Sequence, residues 1–238
     1  FEKDFSRTFN CEVKLYENIK NLIPQFKAEY LLFRLFFKLK SPKKIFIVVS
    51  AGYESMICAA KSLNIPTYEL QHGSPSRGKL NYDYSSGIQK KTFPDYFLSF
   101  GNFWTEDIKF PISKKNIFNL GFLYLNNKRK IYKNKFSKQN KLLFISQPNI
   151  ADDLITFIIR LRRIVDGKID FIYKPHPEEM IKENEKRFKI MEIEGISIVR
   201  NDAEDLYSLL AKSKWVFGVY STALYEAVAF NCSVYIVN

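Results

Sequence analysis

The chain has 238 residues, 46% of them hydrophobic, 26% charged and 16% aromatic, which excludes wholesale disorder and fibrous or low-complexity repeats. Its 37 Lys and Arg against 25 Asp and Glu give a formal net charge of +12, which favours anionic partners without choosing among nucleic acid, lipid headgroups and phosphorylated substrates. Three distant cysteines (Cys11, Cys58, Cys232) build neither a disulfide framework nor a cysteine zinc site, and no run approaches about 18 apolar residues or reads as a secretory signal.

The spacing of Leu15, Ile19, Leu22, Ile23, Phe26, Tyr30, Phe33 and Phe37 predicts a basic amphipathic helix over 12–39, with a break at Pro24. Lys27, Arg34, Lys38 and Lys40 on that helix suit either packing on a sheet or contact with an anionic membrane surface. Strands are predicted at 45–49, 67–70, 96–100 and 117–120, with helices at 53–63 and 102–109 and an aperiodic Gly/Ser/Tyr-rich stretch at 72–93. Residues 126–141 are polar and strongly basic and read as a linker, so the expected division is 1–125, linker, 142–238.

The second half is more regular. Strands are predicted at 142–145, 170–173, 196–199, 215–219 and 233–237, and helices at 151–165, 178–191, 203–212 and 222–230. Asn201, three residues before Glu204, resembles a capping box. This rhythm implies an α/β protein of two Rossmann-like, doubly wound lobes, each a parallel sheet covered on both faces. The start at Phe1 and the end just after a strand suggest either a fragment truncated at both ends or a minimal version of the architecture.

Ligands of such sheets bind beyond the carboxyl ends of the strands. Both histidines fall there. His72 follows a strand in Tyr68-Glu69-Leu70-Gln71-His72-Gly73, and His176 follows another in Tyr173-Lys174-Pro175-His176-Pro177. The flanking prolines restrict the backbone of His176, Lys174 adds a cation, and a helix starting at Glu178 would bring free amides to it, which suits phosphate. In Gly218-Val219-Tyr220-Ser221-Thr222-Ala223-Leu224-Tyr225-Glu226, Ser221 and Thr222 open a helix beside free amides, and Glu226, one turn on, suits a ribose diol.

Together with Pro94-Asp95-Tyr96-Phe97-Leu98-Ser99-Phe100-Gly101 and Leu120-Gly121-Phe122, these motifs resemble GT-B bacterial surface-polysaccharide glycosyltransferases from about Ile45 onward. The nearest patterns are capsule- and lipopolysaccharide-type sialyl and Kdo transferases using CMP-sugars, with the CDP-glycerol polyol-phosphate transferases related to them. The resemblance implies that His176, Ser221 and Thr222 hold the donor phosphate. Lys174 is expected to assist them and Glu226 to hold the ribose. This chain departs from that family in opening with a helix and in lacking the C-terminal helix that crosses back.

Metal-independent, inverting transfer is the expected chemistry, with His72 as base and Glu54 or Asp83 as alternatives. No cofactor beyond the nucleotide-sugar is expected, and no metal. The expected partners are a nucleotide-sugar donor, a glycan or lipid-linked glycan acceptor and an anionic membrane touched peripherally from the cytoplasmic side, with no specific nucleic acid. The competing readings are a UDP-sugar 2-epimerase on the same architecture and a basic nucleic-acid-binding protein, the latter without a recognised motif.

Overall fold

The computed structural model describes residues 2–10, 14–84, 88–132, 134–165, 167–200 and 204–237. The chain divides into two compact units, Phe1–Phe122 and Leu123–Asn238. Each contains one wholly parallel sheet, as the strand–helix alternation predicts.

The first unit opens with two helices, α1 (Glu2–Phe9), which the periodicity missed, and α2 (Leu15–Lys40), which passes through Pro24. Its strands β1 (Ile45–Ile47), β2 (Thr67–Leu70), β3 (Tyr96–Ser99) and β4 (Ile117–Asn119) lie side by side in chain order. Helix α3 (Glu54–Ser62) connects β1 to β2 and buries Ile57, Ala59 and Ala60 completely. The two alanines let α2 approach closely, so that Phe37 is buried and Tyr30 and Phe33 pack beside it. On the same side of the sheet Tyr82, Phe93, Phe97 and Ile108 form a second cluster.

The inner row of β2 is polar. The Thr67 amide and hydroxyl donate to Asp95 Oδ2 (2.9 and 2.8 Å), and the Tyr82 hydroxyl donates to Glu69 Oε1 (2.8 Å). Gln71 Oε1 accepts from the Phe100 amide (2.7 Å) and the Ser99 hydroxyl (3.1 Å). The Tyr82 bond, together with the packing of Tyr82 and Phe93 on Phe97, ties the long 72–93 connection to the sheet.

The opposite face of this sheet departs from the doubly covered expectation. Phe46, Tyr68, Tyr96 and Phe118, one per strand, stack ring to ring with centroids 5.1, 4.7 and 5.9 Å apart. Phe46 is 58% exposed and Phe118 44%, and Val48, Leu70 and Leu120 are exposed on the same side. Parallel sheets are ordinarily buried on both faces.

The second unit is doubly wound. Its strands are β5 (Gln139–Ile145), β6 (Asp170–Lys174), β7 (Ile196–Ile198), β8 (Ser213–Gly218) and β9 (Ser233–Ile236), in the order β7-β6-β5-β8-β9. Leu142 and Phe144 face the helices α5 (Ala151–Ile164) and α6 (Glu185–Ile193). Leu143 and Ile145 face the other side, where α7 (Leu206–Lys212) and α8 (Thr222–Ala229) pack. A strand buried on both faces explains the uninterrupted Leu-Leu-Phe-Ile run.

Three expectations are corrected. The stretch 126–141 is no irregular linker: α4 (Leu123–Tyr132) and the first residues of β5 occupy most of it. Leu125 and Tyr132 pack on the core, and Lys128 donates to Asp205 (2.9 Å) among the rings of Tyr124, Tyr132 and Tyr207. At 102–109 only a 3-10 turn forms, Asn102–Trp104. The helix expected over 178–191 is broken into 3-10 turns Pro177–Glu179 and Lys182–Asn184 before α6, because Glu179 turns back to the His176 amide and the Asn184 side chain donates to the Glu179 carbonyl (2.7 Å). Asn201 lies outside the described residues, and α7 begins after Asp205. Among the described residues no helix is long and apolar enough to cross a membrane.

Candidate functional site

In the second unit the strand order reverses between β5 and β8, and ligands of open α/β sheets ordinarily bind beyond the strand ends at such a switch point. Three connections leave the strands at this edge. Ser146, Gln147 and a turn Pro148–Ile150 leave β5, Pro175–Glu179 leaves β6, and Val219–Ser221 leaves β8. His176 follows β6 and Ser221 follows β8, strands that stand two apart, about 10 Å by sheet spacing.

Gly218, the last residue of β8, is tightly packed. A Cβ there would meet Leu224 Cδ2 at 3.0 Å and the Ile145 carbonyl at 3.2 Å. Only glycine lets β5, β8 and α8 come this close. Above it the Tyr220 hydroxyl donates to Asn149 Oδ1, joining the connections after β8 and β5.

His176 is the N-cap of the Pro177–Glu179 turn. Its Nδ1 accepts from the Glu178 amide (3.3 Å), while its own amide donates to Glu179 Oε1 (2.9 Å). With Nδ1 accepting, the proton of a neutral ring sits on Nε2, which becomes a donor. The expectation of free amides here is corrected: the Glu178 amide goes to the ring and the Glu179 amide to the His176 carbonyl (2.9 Å). The donor that this turn leaves is then the imidazole Nε2–H.

Ser221 caps α8, its Oγ accepting from the Ala223 amide (3.3 Å), and Thr222 is the first helical residue. The positive end of α8 therefore points to the same edge as His176. Lys174, half-buried, ends β6. Glu226 differs from its expected setting. It bonds to the Tyr207 hydroxyl of α7, burial holds its carboxyl above the usual range, and Oε2 is buried with no partner.

In the first unit His72 is exposed just past β2. Gly73 behind it has φ +73°, and its carbonyl accepts from Gln71 Nε2 (2.9 Å). The alternative bases have structural work instead. Glu54 Oε2 accepts from the Gly52 amide (2.9 Å) and Oε1 lies 3.5 Å from Lys90 Nζ. Asp83 accepts from the Gly78 amide (2.8 Å) and the Lys109 amide (3.0 Å), and these bonds hold its carboxyl below the usual range, which makes a poor base.

Sequence reasoning missed Ser146, Tyr173 and Glu179. Glu179, 3% exposed, accepts from the Tyr173 hydroxyl (2.6 Å), whose oxygen lies 2.7 Å from Ser146 Oγ. The signal was present: Glu179 stands three residues after His176, the spacing of a capping box with histidine in the serine position.

No protein-family model matches the chain, and no curated protein matches it by sequence. Solved structures do. Staphylococcus aureus MnaA in a co-structure with UDP is 14% identical, with a TM-score of 0.57 over 91% of this chain and 64% of that one. UDP-GlcNAc 2-epimerase from Neisseria meningitidis, bound to UDP-GlcNAc, is 12% identical with a TM-score of 0.57, covering 90% and 64%. UDP-N-acetylglucosamine 2-epimerase from Rickettsia bellii is 13% identical with a TM-score of 0.55, covering 88% and 60%. At such identities the likeness is one of fold, two Rossmann-like α/β lobes, and the chain spans under two thirds of the length of these neighbours.

Proposed function

We propose that this chain belongs to an enzyme acting on a nucleotide-sugar, with UDP the nucleotide and 2-epimerisation of a UDP-N-acetylhexosamine the reaction. The observation that carries the reading is the switch-point edge, where an imidazole presenting Nε2–H and the capped start of α8 stand either side of β5. The ligands named in the neighbouring structures favour UDP over CMP in this reading.

In this reading His176 donates to a diphosphate oxygen, and Ser221, Thr222 and Lys174 complete the neutralisation of charge that departure of a nucleotide requires. Glu226 would take the ribose diol after turning from Tyr207. Among the candidate proton acceptors His72 is favoured, since Glu54 and Asp83 are engaged.

Sugar transfer to a surface-glycan acceptor is the second reading. It rests on the His-Pro and Ser-Thr…Glu motifs, which resemble those of capsule and lipopolysaccharide transferases. Peripheral contact with anionic lipid belongs to that reading. It is supported by Leu31, Leu32, Leu35, Phe36 and Leu39, exposed on α2 along with Lys27, Lys38 and Lys40, while Arg34 is half-buried.

A thermal-shift panel of UDP, CMP, CDP and GDP tests the nucleotide, because a ligand of the native state raises apparent stability. UDP is expected to give the largest shift, and His176→Ala to weaken UDP at least about tenfold. UDP-GlcNAc incubated without an acceptor should be converted. Stabilisation by CMP alone, with no conversion, would return the assignment to the transferase.

A further inference from the structure

Glu179 is a carboxylate at 3% exposure inside a three-residue 3-10 turn. Burying a charge is costly unless hydrogen bonds compensate it. Here they do: the His176 amide donates to Oε1 at 2.9 Å and the Tyr173 hydroxyl to Oε2 at 2.6 Å. Tyr173 is itself fully buried and has one proton, which goes to the acceptor-only carboxylate, so the Ser146 hydroxyl at 2.7 Å donates to the phenol oxygen. Asn184 Nδ2 donates to the Glu179 carbonyl at 2.7 Å.

A capping box ordinarily stabilises a helix of several turns. This turn has three residues, and α6 starts only at Glu185. The buried carboxylate is out of proportion to the turn it caps. What it does hold is His176. With the His176 amide fixed on one side and the Glu178 amide donating to Nδ1 on the other, the ring has one orientation and one neutral tautomer.

We propose that Glu179 is a positioning residue that holds His176 as the Nε2–H tautomer and, through Tyr173 and Ser146, ties it to the end of β5, where the sheet order reverses. That the Nε2–H serves a nucleotide phosphate rests on the function proposed above; the fixing of the ring does not.

The chain has two histidines, so the test is direct. The 238-residue chain labelled with 15N-histidine is examined by long-range 1H–15N correlation at pH 8, above the ordinary imidazole range of about 6.5, with His72→Asn assigning the signals. His176 is expected as a single Nε2–H tautomer. Glu179→Ala should yield a tautomer mixture, and Glu179→Gln, which keeps one acceptor for the His176 amide, a smaller departure. UDP affinity should fall about tenfold in Glu179→Ala. Glu179→Ala combined with His176→Ala should be no weaker than His176→Ala alone, as for groups acting in one chain of contacts.

An unchanged His176 tautomer in folded Glu179→Ala and Glu179→Gln would overturn the proposal, as would a wild-type ring protonated on Nδ1. Loss of the folded state in both variants would overturn it too, making Glu179 a residue of general stability. Wild type that does not bind UDP, with the tautomer still dependent on Glu179, would remove the nucleotide reading and leave the positioning role standing.

Discussion

Glu69 sits in the middle of β2 with no exposed surface, its Oε2 buried and unpartnered. Burial raises its carboxyl above the usual range, and neighbouring Ser50, the Tyr82 bond and the charge of Lys90 offset this only in part. A carboxyl raised on folding favours the protonated form. Its contribution to stability is therefore full below the ordinary carboxylate range and is lost as pH climbs through the raised value. Glu69→Gln keeps an acceptor for Tyr82 and cannot ionise, so its melting temperature relative to wild type should grow by a few degrees between pH 4.5 and pH 8. A difference that stays flat or shrinks in thermal melts across that range would refute the assignment. The acids show why side-chain roles were only partly legible. His72 and His176 could be placed from their positions after strands. Asp83 could not, because its work depends on amides at positions 78 and 109 that only the fold brings to it.

Among the elements, strands were read most closely, as at Thr67–Leu70, because an apolar run bounded by turn residues has few alternatives. Elements governed by polar side chains were misread. Helix α4 looked like a linker since its Lys and Arg hide a stripe of only Leu125 and Tyr132, and the 178–191 helix was cut by one glutamate and one asparagine acting on backbone groups. The packing of β8 on β5 and α8 depends on a missing side chain. Gly218→Ala would press a methyl against the Ile145 carbonyl, which cannot turn aside as a side-chain tip can. Overpacking of this kind should cost about 1–3 kcal/mol, measurable as a lower denaturation midpoint with little change in slope.

For the whole molecule, the alternation of strands and helices was enough to give two α/β lobes, and the reversal of strand order in the second needed coordinates. The unmatched face of the first sheet could not be foreseen, because periodicity shows that residues are apolar and not what meets them. That face has a consequence for handling the protein. A formal charge of +12 keeps copies apart in dilute buffer, while the aromatic wall of Phe46, Tyr68, Tyr96 and Phe118 draws them together once repulsion is screened. Between about 0.01 M and about 1 M salt the screening length falls from about 30 Å to about 3 Å. Light scattering should then report a rising mass, blunted in Phe46→Glu; scattering that falls with salt would mean that charge, not the wall, drives association. Purification at low ionic strength should accordingly keep the preparation clear, and salting should cloud it.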